Sequence, residues 1–300
     1  MKVLITGSNG FIGSNMANFF IQRQDQVIGW DINRKENEGY KTSIVDLLHD
    51  NLQIILEKEK PNAIIHCAGC ANVGMSLQNP LIDYAGNTTG LYRLLEAMRL
   101  AGLFSCKFLM LSSAAVYGQP KQLPIQEVEK QQPMSPYALH KKMAEDICMY
   151  YVTYHGLQCR VARIFSAYGP GLQKQIFWDM YKKINTTGRL EVFGTGNESR
   201  DFIYIDDLVQ ALDLVFKCDS SEVIFNVANG KEVTIREIAF EFGKQMGIQD
   251  IIFNGVVRQG DPCNWCADIT KLKKIGYQQT IDVGTGIENY IRWCRVLLDK

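Results

Sequence analysis

Val3-Leu4-Ile5-Thr6-Gly7-Ser8-Asn9-Gly10-Phe11-Ile12-Gly13 is an apolar run that breaks into three glycines and leads into Ser14 to Arg23, which reads as a helix. Strand, tight turn and helix in that order are the context a dinucleotide-binding fingerprint requires. Gly7 allows the turn, Gly10 lets backbone N–H groups approach a pyrophosphate, and Gly13 lets the helix pack closely on the strand. The phosphates then sit at the helix N-terminus. A second apolar run, Gln26-Val27-Ile28-Gly29-Trp30, ends in Asp31, eighteen residues after Gly13. A carboxylate there accepts hydrogen bonds from a ribose diol and repels a 2'-phosphate, which points to NAD over NADP, with Arg34 partly offsetting the charge.

Working outward, strands are expected near residues 2–6, 26–31, 43–45 and 63–67, with helices at 12–23 and 50–59. A helix at about 87–101, a strand at 107–112, a helix at 136–154 and a strand at 158–164 continue the rhythm. The alternation predicts an α/β, doubly wound parallel sheet. After Tyr168-Gly169-Pro170-Gly171 the elements become shorter and mixed, which predicts a second, smaller mixed α/β lobe assembled from separated segments. The expected division places residues 1–167 and about 200–228 in the nucleotide-binding domain, and about 168–199 and 229–300 in the other lobe.

Of the 300 residues, 46% are hydrophobic, enough for a large core, yet no apolar run is long enough to span a membrane. The N-terminal apolar run is too short for a signal-peptide core and is used by the nucleotide fold. Thirty-two basic residues balance thirty-two acidic ones, so no nucleic-acid or acidic-membrane footprint is expected. Nine scattered cysteines read as reduced thiols of a cytoplasmic protein rather than a disulfide framework. The pairs Cys67/Cys70 and Cys263/Cys266 have zinc-like spacing, but Cys67 closes a strand and Asn72 to Ser76 reads as a cofactor loop. His49, His66, His140 and His155 show no metal spacing either, so no metal is expected.

The second informative segment is Tyr137-Ala138-Leu139-His140-Lys141. Pro136 opens a helix, so Tyr137 and Lys141 fall at i and i+4 and project from one face. A free tyrosine titrates near about 10, too high for a base at neutral pH. A neighbouring ammonium and an oxidised nicotinamide both favour the phenolate, so behind the dinucleotide fingerprint Tyr137 is expected to move a substrate proton.

With these segments in place the chain resembles the extended short-chain dehydrogenase/reductases, specifically the NAD-dependent nucleotide-sugar epimerase/dehydratase family, which resembles UDP-glucose 4-epimerase in its motifs and has a Rossmann fold. The resemblance covers essentially all 300 residues. It is carried by Thr6 to Gly13, Val45-Asp46-Leu47, His66-Cys67-Ala68-Gly69, Asn87 with Gly90, Ser112 to Gly118, Tyr137 with Lys141, and Arg200 to Asp207. It implies that Gly7, Gly10, Phe11, Ile12 and Gly13 cradle the NAD, that Asp46 and Leu47 contact adenine, that Ala68 and Gly69 line the cofactor, and that Asn87 holds its nicotinamide half. Ser113 matches the hydroxyl that bonds the reacting sugar oxygen. In the second, nucleotide-sugar-binding lobe, Arg200 and Arg258 match the clamp on the diphosphate, and Asp261 matches the acid beside the second arginine. A homodimer is implied too, with helices 87–101 and 136–155 pairing with their copies into a four-helix bundle. Leu91, Leu94, Leu95 and Met98 suit such a face and equally suit packing on the sheet.

Departures from the pattern narrow the reading. Sugar 4,6-dehydratases resemble this chain but carry an Asp-Glu pair after the catalytic hydroxyl residue, where this chain has Ala114 and Ala115. Neither alanine transfers a proton, so elimination of water by that route is not expected. Ser166 stands where family members usually present a substrate-binding Asn, and Trp265 falls where epimerases control room near sugar carbon 2. The leading expectation is a nucleotide-sugar 4-epimerase working through a transient 4-keto intermediate on a nucleotide-diphosphate sugar. The alternatives are a 4-ketosugar reductase or 4-dehydrogenase using the same residues, and a non-catalytic NAD-binding redox sensor.

Overall fold

The computed structural model describes residues 1–35, 39–256 and 262–298. They form two compact units, Met1–Gly118 with Lys130–Ile164 and Leu212–Phe225, and Gln119–Glu129 with Phe165–Ala211 and Asn226–Lys300.

In the first unit β1 (Lys2–Thr6), α1 (Phe11–Gln22), β2 (Gln26–Asp31), β3 (Lys41–Ile44), α2 (Leu52–Glu59) and β4 (Ala63–His66) alternate as the hydrophobic pattern predicts. Next come α3 (Val73–Gln78), α4 (Pro80–Tyr84), a single π-helical turn (Ala85–Thr89), α5 (Gly90–Leu100), β5 (Lys107–Ser113), α6 (Pro136–His155) and β6 (Gln158–Ile164). The sheet runs β3-β2-β1-β4-β5-β6, with Ile224–Val227 beside β6. Strands β1 to β6 pair in parallel. Strand order reverses between β1 and β4, and a doubly wound sheet binds its ligand at that switch point, beyond the carboxyl ends of the strands.

Side chains alternate across each strand, so Leu4, Ile64, Phe108, Met110 and Val161 share a core with Trp30, Leu56, Leu91, Leu94, Leu95, Met98, Cys148 and Tyr151. Burying a leucine of this kind contributes about 1.5–3 kcal/mol, which is what holds α2, α5 and α6 on the sheet. Of the two roles the α5 residues allow, the structure therefore takes packing: Leu91, Leu94, Leu95 and Met98 are fully buried within the unit.

Two expectations change. Asn72 to Ser76 is not a loop: Asn72 caps α3, its side chain accepting from the Met75 N–H at 3.0 Å. The helix expected from about Asn87 is helical there but starts earlier and is irregular, because residues 85–89 are wound as a π turn that joins α4 to α5.

The second unit packs helices Gln175–Thr187, Ile235–Met246 and Val283–Leu298 with three small strand pairs. Phe177 is its hub, stacked on Tyr168 at 4.5 Å and meeting Phe202, Phe242 and Tyr290 edgewise or tilted. A capping box of Thr234 and Glu237 starts the second of these helices.

Candidate active site

The glycine turn is built as its sequence requires. Gly7 has φ +65°, and a Cβ there would lie 2.7 Å from the Ala68 nitrogen, while one on Gly13 would lie 2.2 Å from the Gly7 carbonyl oxygen. The loops after β1 and β4 thus touch at the switch point, and only hydrogen fits between them. The Asn9 N–H donates to Asp31 Oδ2 at 3.0 Å, which ties the turn to the end of β2. No side chain caps α1 at Gly10, so the first turn, with Phe11, Ile12 and Gly13, presents an uncapped N-terminus to an anion. Leu47 is buried, and its carbonyl accepts from Arg93 Nε at 2.8 Å. The Asp46 carboxylate accepts from the Leu48 N–H and meets the His49 ring at 2.8 Å, and these contacts lower its pKa.

Several groups fit a bound dinucleotide. Asn87 is 2% exposed, and neither its Oδ1 nor its Nδ2 has a hydrogen-bond partner. Its Oδ1 lies where a Cβ on Gly69 would come within 2.5 Å, with Gly69 at φ +138°. Buried amides without partners are costly and rare, and one held in a π turn marks a place where a ligand supplies the missing bonds. The Ser8 hydroxyl is buried and without a partner as well. The residues present therefore fit NAD.

Beside them, Ser135 caps α6 by accepting from the Ala138 N–H, Pro136 occupies the first turn, and Gly156 ends the helix in the left-handed region. This sets Tyr137 and Lys141 on one face. Ser113, the last residue of β5, accepts from the Ala115 N–H at 3.2 Å, and its hydroxyl faces the Tyr137 phenol. Ala114 and Ala115 begin the 3₁₀ turn that follows. Burial raises the Tyr137 pKa, and the Ser113 hydroxyl opposes that rise. Lys141 is 7% exposed, and burial lowers its pKa to about 8. Its Nζ donates to the Leu111 carbonyl at 3.0 Å. In the protein alone burial is the largest influence on the phenol, which fits the expectation that an oxidised nicotinamide as well as the ammonium is needed to favour the phenolate.

Sequence reasoning missed the groups that hold these residues in place. Thr6 Oγ1 meets His66 Nδ1 at 2.8 Å and the Ala68 N–H at 3.3 Å, fixing the loop that carries Ala68 and Gly69. Burial brings the His66 pKa down to about 3, so the ring is neutral. Glu145, one turn beyond Lys141, forms a buried ion pair with Arg163, and Arg163 also donates to the Tyr117 hydroxyl. The i+4 spacing of Lys141 and Glu145 is the signal that would have placed Glu145 on this face.

In the second unit Ser166, Arg200 and Trp265 share one neighbourhood. The Arg200 guanidinium lies 5.5 Å from the centre of the Trp265 ring and donates to the Ser199 and Cys263 carbonyls. Trp265 packs edgewise on Phe165, and the Ser166 N–H donates to the Asp201 carbonyl. Arg258 and Asp261 lie outside the described residues. Among those described, no group of three or more His, Cys, Asp and Glu is placed to hold a metal ion, and no helix is long and apolar enough to cross a membrane.

Comparison with known proteins agrees with this geometry. A putative UDP-glucose 4-epimerase of Methanocaldococcus jannaschii is 28% identical over 302 residues, covering 98% of each chain. A UDP-glucuronate 4-epimerase of Thermodesulfobacterium geofontis is 29% identical, covering 97% of this chain and 95% of its own. The solved UDP-glucose 4-epimerase of Thermotoga maritima, with UDP-glucose, superposes with a TM-score of 0.92 at 25% identity, covering 99% of this chain and all of that one. The model of the NAD dependent epimerase/dehydratase family matches residues 3–228, and the chain belongs to that family.

Proposed function

We propose that this chain is an NAD-dependent nucleotide-sugar 4-epimerase acting on a UDP-hexose. The observation that carries the reading is the unpartnered, buried amide of Asn87 in the same unit as Tyr137, the Ser113 hydroxyl that faces it and a buried Lys141. The relatives named above, one putative and two other 4-epimerases of UDP-sugars by their descriptions, support it. A bound NAD would supply a reversible hydride acceptor for the sugar carbon. Tyr137 removes the proton of the carbon-4 hydroxyl and later returns it, while the Ser113 hydroxyl donates to the same oxygen and orients it. Asn87 would satisfy its amide on the nicotinamide half, Asp31 would accept from the adenosine ribose, and Gly7 to Gly13 would leave the pyrophosphate an open helix end. Arg200 and Arg258 are the groups that would hold the diphosphate, with Asp261 as the acid that accompanies the second arginine and with Ser166 and Trp265 bordering the sugar. Alanines at 114 and 115 supply no acid or base for eliminating water.

The same reading makes the protein a cytoplasmic homodimer. All nine cysteines are free thiols. Helices α5 and α6 carry exposed Tyr92, Leu100, Leu139, Tyr150 and Tyr154, an apolar set suited to a second copy. Light scattering giving the mass of a monomer at micromolar concentration would remove the dimer.

Incubating the purified protein with UDP-, GDP-, CDP- and dTDP-hexoses without added cofactor, and following products by NMR, tests the activity. A carbon-4 epimer establishes it and names the substrate. Turnover only when NAD, NADH or NADPH is supplied in stoichiometric amounts would assign the chain to the dehydrogenases or reductases instead.

A further inference from the structure

The Tyr137 phenol has a buried anionic neighbour that proton transfer does not call for. Asp83, on α4, is 3% exposed; its Oδ2 meets His140 Nδ1 at 2.6 Å, and its Oδ1 is buried without a partner. His140, 7% exposed, lies three residues after Tyr137 and one before Lys141, so one side of α6 presents all three, and α4 packs against α6. The Tyr84 ring meets the His140 ring edgewise at 5.4 Å, and Thr88 Oγ1 donates to the His140 carbonyl at 3.3 Å. Helix α4 runs directly into the π turn that carries Asn87. The contact therefore ties the Asn87 turn to the helix of Tyr137 and Lys141, and it does so with a carboxylate whose charge opposes a phenolate.

The other groups facing the pair leave Asp83 as the exceptional one. Tyr137 is faced by Ser113 from β5, Cys70 from the segment after β4 and Asp83 from α4, and Lys141 follows it one turn later on its own helix. Lys141 is faced by His66, Cys67, Cys70, Asp83 and Glu145. His66 is neutral, burial pushes the Cys67 thiol up to about 12, and Glu145 is neutralised by Arg163.

We propose that Asp83 and His140 are a charge-compensated positioning pair for proton transfer. Asp83 pins the Asn87 turn against α6, and the His140 Nδ1–H offsets the carboxylate so that it does not hold Tyr137 protonated. This rests on Tyr137 being the proton-transfer group of the proposed epimerase.

The test is an ultraviolet difference titration of the Tyr137 phenolate in NAD-loaded protein, each background referenced to its own Tyr137→Phe counterpart, which needs no turnover and no substrate. Asp83→Asn is expected to move the titration about one pH unit lower, His140→Ala to move it higher, and the double variant to return it toward wild type. Both single variants moving in the same direction, or Asp83→Asn leaving the titration in place, would overturn the proposal. Asp83→Ser makes the same charge change should circular dichroism show Asp83→Asn unfolded. An absence of epimer from the wild type would defeat the epimerase reading while leaving this titration to be decided by itself.

Discussion

The Arg163 guanidinium and the Glu145 carboxylate meet at 2.7 Å with neither side chain more than 4% exposed. Glu145 also accepts from Ser112 Oγ at 2.5 Å and from Gln131 Nε2 at 2.6 Å, so one carboxylate joins α6 to the strand end that carries Ser113. Removing one partner leaves the other charge buried and uncompensated. Arg163→Met is expected to cost about 3–5 kcal/mol in chemical denaturation, far more than the loss of an exposed pair such as Arg292–Glu288.

Tyr137→Phe removes the hydroxyl and little else. We expect kcat to fall by about 10²–10⁴ while NAD affinity stays within a few-fold, measured by epimer formation and by calorimetric titration. Near-full activity in this variant would end the assignment of Tyr137 as the base.

Asn87 separates stability from cofactor binding. Its amide is buried with no partner in the protein alone, a state that costs about 1–3 kcal/mol. Asn87→Leu is therefore expected to leave the ligand-free melting temperature unchanged or higher, and to weaken NAD by about tenfold or more, the worth of one amide hydrogen bond. A fall in melting temperature with unchanged NAD affinity would show the amide to be structural.

Lys141 makes stability depend on pH in a defined direction. Burial lowers its pKa from 10.5 to about 8. Between those values the unfolded chain holds a proton that the folded protein has released, so this group's contribution rises with pH across that window. Below about pH 8 both states are charged and the burial penalty is complete. Lys141→Met is expected to stabilise the ligand-free protein at pH 7 by about 1–3 kcal/mol, with the gain shrinking toward pH 10, while epimerisation is lost. Urea denaturation at several pH values reads both trends.

What could be read in the sequence was local. The period of the apolar runs marks β1, α1, β2, β4, α6 and β6, because alternation of two and 3.6 residues is a property of neighbours along the chain. The glycine turn and the Tyr137/Lys141 face are legible for the same reason: a tight turn and an i, i+4 pair are each decided within a few residues. Helix α3 escaped because a six-residue helix carries less than two turns of periodicity, and its Asn72 cap is as much a loop signal as a helix signal. The π turn at 85–89 escaped because nothing in its composition differs from a helix start.

Only the tertiary structure decided the rest. Leu91, Leu94, Leu95 and Met98 form an apolar face that fits two partners equally, and the sheet is the one that buries it here. Asp83 and His140 are 57 residues apart and Glu145 and Arg163 are 18 apart, and neither spacing encodes a contact. The sequence by itself pointed to the groups proposed here to handle the dinucleotide and the proton. Packing across those distances determined which charges surround them, because the energy of a buried charge depends on neighbours that only the folded chain brings together.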